Sequence, residues 1–363
     1  MARKLVFDRT LFLSVVVMTL FGILMVYSAS SIWAMGNRGS SYYYLSRQVA
    51  WAVLGLGIMV LAMTVDYRNY RRPTVVYGLL GGSVVLLLWA LASPAMNGAH
   101  RWIWLGPFSF QPSEPAKLAV VVLLAYQLEK RQDRINDLTQ SLGPCLVLVL
   151  PVVMLILIQP DLGAAAMVVL LFAVLFFAAG LNLRTVTAGA AIGVVLLGVA
   201  IVSAPYRMDR MVSYLHPEED IQGSGFQLHQ SLLAVSSGGL AGRSLGDSRQ
   251  KMLFLPLPHT DFIYAVIGEE LGLIGCLGVV GGFLLLLWRG LRNSLLLEDR
   301  FGAYLGIGLT VFLVGQAMIN MGVVLGLLPT KGLPLPFISY GGSSLVVSLA
   351  AAGVLLNLSQ YSN

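Results

Sequence analysis

Three observations predict an all-α polytopic membrane protein, with about ten transmembrane helices and one long extracytoplasmic loop. First, 57% of the 363 residues are hydrophobic and only 11% are charged, with a mean hydropathy of +0.80. A soluble domain carries about 25% charged residues, so this chain cannot cover a water-exposed surface. Second, apolar runs of membrane-spanning length recur from one end of the chain to the other. Third, lysine and arginine crowd into alternate loops.

A helix of roughly 20 mostly apolar residues crosses a bilayer. Ten segments qualify, approximately 10–32, 48–65, 73–93, 114–129, 143–158, 163–181, 186–205, 262–288, 302–323 and 339–358. The first contains Ser28-Ala-Ser30, a small-residue cleavage pattern, but its apolar stretch is long for a signal peptide and it counts as a span. Gln159-Pro-Asp-Leu-Gly163 divides what would otherwise be one overlong run. The proline removes a backbone donor there, and the glycine permits a tight reversal. Residues 1–363 form a single integral membrane domain, with 206–260 as its long loop.

Orientation follows from the basic residues. With the N-terminus inside, thirteen of them face the cytoplasm: Arg3, Lys4, Arg9, Arg68, Arg71, Arg72, Lys130, Arg131, Arg134, Arg184, Arg289, Arg292 and Arg300. The short outer loops hold four: Arg38, Arg47, Arg101 and Lys331. Both termini are therefore expected in the cytoplasm and the long loop outside. The formal charge of +6 is sorted by membrane side, and no basic stripe interleaved with aromatics suggests nucleic acid. Cys145 and Cys276 lie in apolar runs and suggest neither a disulfide framework nor a metal site.

The unusual polar residues fall on the outer side. In Gln111-Pro-Ser-Glu-Pro-Ala-Lys117 two prolines frame a helix start, with Ser113 as its cap. Glu114 and Lys117 stand at i,i+3, close enough to pair. Two readings are open: a structural ion pair, or contact of Lys117 or Arg101 with an anionic headgroup. Asp161 is open in the same way, as an outer turn residue or as a group facing a cavity between two short spans. In the long loop, residues 226–235 set Leu228, Leu232 and Val235 on one side of a short interfacial helix, with Gln227 and Gln230 facing water. Ser236-Ser-Gly-Gly239 follows as a flexible joint. Arg207, Arg210, Arg243, Arg249 and Lys251 surround it as a cationic rim suited to phosphate.

The most informative stretch is Leu255-Pro-Leu-Pro-His-Thr-Asp-Phe-Ile-Tyr-Ala-Val-Ile-Gly-Glu-Glu-Leu-Gly272. Asp261 stands where the loop becomes an apolar helix, and ionisable groups in membrane segments are functional candidates. A helix N-cap would also explain it, but not Glu269 and Glu270 deeper in the same helix. Those two imply a polar cavity running in from Asp261. The Pro/Gly-rich stretch 328–344, with Ser339, then reads as a cavity wall, because non-helical backbone at membrane depth must line a cavity or be buried in protein.

Together these segments resemble the SEDS family of bacterial cell-wall proteins along essentially the whole chain, its division branch more than its elongation branch. The resemblance rests on Asn97-Gly…Arg101-Trp…Gln111-Pro-Ser-Glu114…Lys117, Gln159-Pro-Asp-Leu-Gly163, Gln230-Ser-Leu-Leu-Ala…Ser-Gly-Gly239, His259-Thr-Asp-Phe-Ile263 with Glu269-Glu-Leu-Gly272, and Pro334-Leu-Pro…Ser-Tyr-Gly-Gly-Ser343. Leu257-Pro258 departs from the Pro-Glu pair common in relatives, which leaves an acidic helper before His259 without a candidate.

The resemblance implies the SEDS fold and a peptidoglycan glycosyltransferase that polymerises lipid II in the cytoplasmic membrane at the division septum. It implies Asp261 as the essential carboxylate, with Arg101, Lys117, Arg207, Arg210, Arg243, Arg249 and Lys251 as candidates for the substrate pyrophosphate. Glu114, Asp161, His259, Glu269 and Ser339 are expected to support a polar cavity. A class B penicillin-binding protein and other division proteins are the implied partners. Mg²⁺ or Mn²⁺ is the implied cofactor, with no ligand set legible. The alternatives are a lipid II flippase, an elongation-type polymerase and a division scaffold. The ionisable residues crowd the outer half of the bilayer, which favours surface chemistry over translocation.

Overall fold

The computed structural model describes residues 7–95, 98–106, 108–202, 225–248, 257–330 and 332–362, with Met208, Met211, Val212 and Tyr214. A long helix lies at each of the ten predicted spans. In chain order they are α1 (Arg9–Arg38), α2 (Tyr43–Thr64), α3 (Pro73–Ala92), α4 (Ser113–Lys130), α5 (Gly143–Ile158), α6 (Leu162–Ala178) and α7 (Leu183–Val202). A shorter helix, α8 (Phe226–Gly238), precedes α9 (Ile263–Leu295), α10 (Arg300–Val324) and α11 (Gly342–Ser359). Seven of them are long and apolar enough by themselves to cross a membrane: α1, α2, α3, α5 with the turn before it, α9, α10 and α11. Helix α4 carries four charged residues, Glu114, Lys117, Glu129 and Lys130, and α6 is a turn short.

Helices α4, α10 and α11 are buried on nearly all sides and form the centre of the bundle. Helix α2 packs closely along α11, and α1, α3, α6 and α9 complete the ring. Polar groups close the end that holds the basic residues. Asp8 caps α1 by accepting from the Leu11 N–H, and its Oδ2 accepts from Arg289 Nε at 2.7 Å and Asn293 Nδ2 at 2.9 Å. Asn357 of α11 accepts from the Tyr67 N–H and donates to the Met63 carbonyl. Arg71 pairs with Glu129 at 2.9 Å. Cys145 and Cys276 are buried free thiols.

Four local expectations change. The loop after α3 contains a small antiparallel hairpin, β1 (Ile103–Leu105) with β2 (Phe108–Phe110), absent from the sequence reading. Ser113 does not cap α4; its hydroxyl turns instead to Asp161. The buried stripe of α8 is Leu228, Ser231, Ala234 and Gly238, while Leu232 and Leu233 are exposed and Gln227 and Gln230 are half-buried. Small residues take the inner face because α8 lies against protein: Ser231 donates to the Val324 carbonyl at 2.8 Å.

The fourth concerns the expected joint at 236–239, which is a packed contact with a broken helix. At Gly272 the backbone of α9 leaves the helical range (φ 65°, ψ −160°), which would orphan the carbonyls of Glu269 and Glu270. They accept instead from the N–H groups of Arg243 and Ser244, both at 3.1 Å. In exchange, Leu273 N–H donates to the Gly239 carbonyl and Ile274 N–H to that of Leu240. These four backbone groups at the break are thereby satisfied by protein, as membrane depth requires.

Candidate functional site around Asp261

Four loops and the end of α10 converge at the pole opposite Asp8. They are the hairpin loop with Arg101, the α5–α6 turn, the approach to α9 with Asp261, and the segment 332–341 before α11. Helix α9 begins at Ile263 with Phe262 at its cap position, so Asp261 does not cap it. The carboxylate lies in the preceding turn and is half-buried. Freed from a capping role, it points towards Gly332. A Cβ on that exposed glycine would lie 3.0 Å from Asp261 Oδ2 and 3.9 Å from Arg101 Nη1. A carboxylate and a guanidinium thus lie beside one exposed glycine.

Each partner is held from behind. Arg101 donates from Nε to the Gln159 carbonyl at 3.2 Å and from Nη2 to that of Pro160. The α5–α6 turn is itself fixed. Gln159 Nε2 donates to the Leu87 carbonyl at 2.8 Å, and Asp161 caps α6 through the Ala164 N–H while accepting from Gln111 and Ser113. Asp161 is thus a buried turn residue, and its cavity reading is corrected. The turn before α9 is held by Ser339, whose hydroxyl donates to the Thr260 carbonyl at 2.7 Å and accepts from the Leu335 N–H. Tyr340 N–H donates to the His259 carbonyl, and Asn320 Nδ2 donates to that of Asp261 at 2.7 Å.

His259 is buried among the rings of Trp33, Tyr44 and Tyr340, with centroids at 5.8, 4.3 and 5.4 Å. Burial pushes its imidazole down to about 4, so it is neutral at pH 7 and its Nδ1 has no partner among the described residues. It packs into this aromatic cluster two residues before Asp261.

Three expectations are corrected. Lys117 is fully buried and cannot reach a headgroup: its ammonium lies 2.8 Å from Glu114 Oε1 and 2.6 Å from Gln316 Oε1, and 5.2 Å above the Phe312 ring. The ion-pair reading holds, and Glu114 belongs to it rather than to a cavity. Glu269 and Glu270 take protein partners where a polar cavity was expected. Ser248 Oγ donates to Glu269 Oε2 at 2.5 Å with Arg243 3.7 Å from Oε1, and Ser28 donates to Glu270. Leu333, Leu335, Phe337 and Ile338 are buried in protein, so most of the segment before α11 walls no cavity.

Of the proposed cations, Arg101 lies beside the same glycine, Gly332, as Asp261, and Arg243 is engaged with Glu269. Arg207, Arg210, Arg249 and Lys251 lie outside the described residues. Sequence reasoning missed Asn320, Gln316, Gln159 and Gln111. Their signal is polarity within or beside apolar helices, where amides usually serve a contact. Among the described residues no three His, Cys, Asp or Glu side chains gather into a metal site, and the charged group that shares the surroundings of Gly332 with Asp261 is a cation. One carboxylate is less than a divalent ion usually takes without substrate phosphates. These residues do not by themselves fit the implied cation, and no step below runs through one.

The family profile for FtsW, RodA and SpoVE, described as a cell cycle protein, matches residues 8–363. The chain belongs to this FtsW/RodA/SpoVE family. It is 45% identical over 357 residues to the probable peptidoglycan glycosyltransferase FtsW of Geobacter sulfurreducens, covering 97% of this chain and 95% of that one. Stage V sporulation protein E of Bacillus subtilis is 42% identical over 356 residues, at 98% and 97% coverage. Among solved structures, a chain of a peptidoglycan synthase complex superposes with a TM-score of 0.82 at 31% identity, covering 99% of both chains. Rod shape determining protein RodA of Thermus thermophilus gives 0.73 at 30% identity, covering 98% and 97%. The polytopic helical fold of the family is therefore the fold of this chain, a multi-pass membrane protein.

Proposed function

We propose that this protein is a peptidoglycan glycosyltransferase that polymerises lipid II during division, with Asp261 as its catalytic base. The observation that carries the reading is the position of Gly332, within reach of which lie both Asp261 Oδ2 and Arg101 Nη1. The FtsW-type relatives support the activity and its division role.

In lipid II the sugar is α-linked to a polyprenyl pyrophosphate, and the product bond is β-1,4, so a single inverting displacement suffices. Asp261 accepts the proton of the acceptor 4-hydroxyl as that oxygen attacks the donor anomeric carbon. The bond from that carbon to the pyrophosphate oxygen breaks, and its electron pair leaves with the diphosphate. Arg101, already oriented by two backbone carbonyls, places positive charge where that negative charge develops. The lipid tails lie between helices while the sugars meet above them.

The described basic residues assigned to the cytoplasmic loops, among them Arg71, Lys130 and Arg289, lie at the pole opposite Asp261, which supports an extracytoplasmic site and cytoplasmic termini. A class B penicillin-binding protein transpeptidase at the septum is the partner this reading carries, in line with the structural likeness to a peptidoglycan synthase complex. A flippase would use Lys117, Glu269 and Glu270 as a pathway, and each is instead engaged in a protein contact.

The test is polymerisation of lipid II by the purified chain, alone and with its transpeptidase. Asp261→Asn at normal abundance is expected to make no polymer. Wild-type product from that variant would refute the assignment.

A further inference from the structure

Helix α10 carries two amides one turn apart, Gln316 and Asn320, on one face of an otherwise apolar helix. Both are buried, and both reach across to the segment before α11. Gln316 Nε2 donates to the Pro334 carbonyl at 3.0 Å, and Asn320 Nδ2 donates to the Leu333 carbonyl at 2.7 Å. Asn320 does one thing more: its Nδ2 also donates to the Asp261 carbonyl at 2.7 Å. The two hydrogens of one amide therefore bridge the turn that carries Asp261 and the extended segment that follows Gly332.

A packing role does not account for this residue. Asn320 Oδ1 is buried with no partner among the described residues, and an orphaned buried acceptor is destabilising. A leucine at this site would fill similar space without that cost. Ser339 and Tyr340 tie the same two segments at Thr260 and His259; what the amide adds is a fixed distance between Asp261 itself and Leu333, the residue after Gly332. That distance sets the opening at Gly332, where a single Cβ would already approach Asp261 Oδ2 to 3.0 Å. Gln316, held at its oxygen by Lys117, fixes the next carbonyl along and keeps the segment from sliding.

The geometry points to Asn320 as a positioning residue for the glycosyl transfer, acting through the Asp261 backbone and the segment after Gly332 rather than by touching substrate. This inference rests on the assignment of Asp261 as base. Displacing a catalytic group by an ångström can cost about 10²-fold in rate, and such a loss falls on kcat because substrate contacts are intact.

The experiment is steady-state polymerisation of lipid II by the full-length protein with its transpeptidase, normalised to folded, monodisperse enzyme. Asn320→Leu is expected to lose at least about tenfold in kcat, with KM for lipid II within about twofold of wild type. A purely structural role would lower the folded yield or the melting temperature and leave kcat per folded molecule at the wild-type value, which would overturn the inference. If Asn320→Leu fails to accumulate, Gly332→Ala reads the same opening from an exposed position that does not depend on α10. It is expected to lower kcat without moving the melting temperature, and an unchanged kcat would overturn the inference. If Asp261→Asn also polymerises normally, the assignment of the base has failed. If Asp261→Asn is inactive while Asn320→Leu turns over normally, only the positioning role has failed.

Discussion

Lys117 Nζ lies 2.8 Å from Glu114 Oε1, one helical turn away on α4, and neither side chain is reached by solvent. Taking two charges out of water is costly, and their attraction offsets that cost only while both are present. Removing one partner alone leaves a buried charge without its counterion, so Lys117→Met is expected to destabilise the protein by about 3–5 kcal/mol. The double variant Glu114→Gln with Lys117→Met should recover part of that loss, because it leaves no buried charge without its counterion. Unfolding midpoints of the three variants in detergent would decide this. A double variant as unstable as the single one would show that the pair is not the unit of stability.

Gly272 is the residue that permits the break in α9. Its φ of 65° and ψ of −160° belong to a region that is essentially glycine-only, and a Cβ there would meet Gly242 N at 2.4 Å and Leu240 O at 2.6 Å. Backbone strain of this kind costs about 1–3 kcal/mol, before any clash with main-chain atoms that cannot move aside. Gly272→Ala should therefore reduce accumulation and melting temperature more strongly than Gly278→Ala, six residues on in the same helix, where an added Cβ meets nothing within 4 Å. Equal stability of the two variants would mean that the exchange between 239–244 and 269–274 does not hold the loop.

His259 supplies a pH dependence with a definite sign. Its folded-state value is pushed down to about 4 by burial, against about 6.5 in an unfolded chain. Between those values the unfolded chain binds a proton that the folded protein refuses, so stability falls as pH drops through this window. The full effect, reached near pH 4, is about 3 kcal/mol; above pH 6.5 this residue contributes no slope. His259→Phe keeps a ring against Tyr44 and Tyr340 but cannot take up the proton. The melting temperature of the wild type should therefore drop further than that of His259→Phe between pH 7 and pH 4.5. Parallel curves would place the acid sensitivity elsewhere.

The helical framework is legible in the sequence because length and apolarity suffice for a membrane span, and the ten long helices fall where the ten apolar runs lie. Asp261 is legible for a related reason: a carboxylate beside an apolar helix is conspicuous. The supporting contacts are not. Asn320 and Gln316 are two amides in a long helix, and nothing in their spacing tells which loop carbonyls they will meet. Lys117 reads equally as a surface cation or as a buried partner until the depth of α4 is known. The break at Gly272 lies in an apolar run with no proline to mark it. The strands near Arg101 are three residues each, too short for an alternating pattern to be read. Local rules name the helices and the odd residue out, whereas contacts between loops distant in sequence depend on the packed fold.

Arg101 is the cation that lies with Asp261 beside Gly332, and its orientation depends on the shape of its side chain. Nε and Nη2 are spent on the carbonyls of Gln159 and Pro160, which leaves Nη1 beside Gly332. Lysine has one ammonium and no fork, so it cannot both hold the α5–α6 turn and lie beside Gly332. Removing a donor aimed at developing negative charge costs about 10²–10³-fold in rate. Arg101→Gln should show a loss of that order in lipid II polymerisation, and Arg101→Lys should recover only a small part of it despite keeping the charge. Full recovery by lysine would mean that net charge matters and the two-carbonyl hold does not. An Arg101→Gln enzyme with a rate within about threefold of wild type, against the expectation for a lost transition-state donor, would remove Arg101 from the leaving-group site.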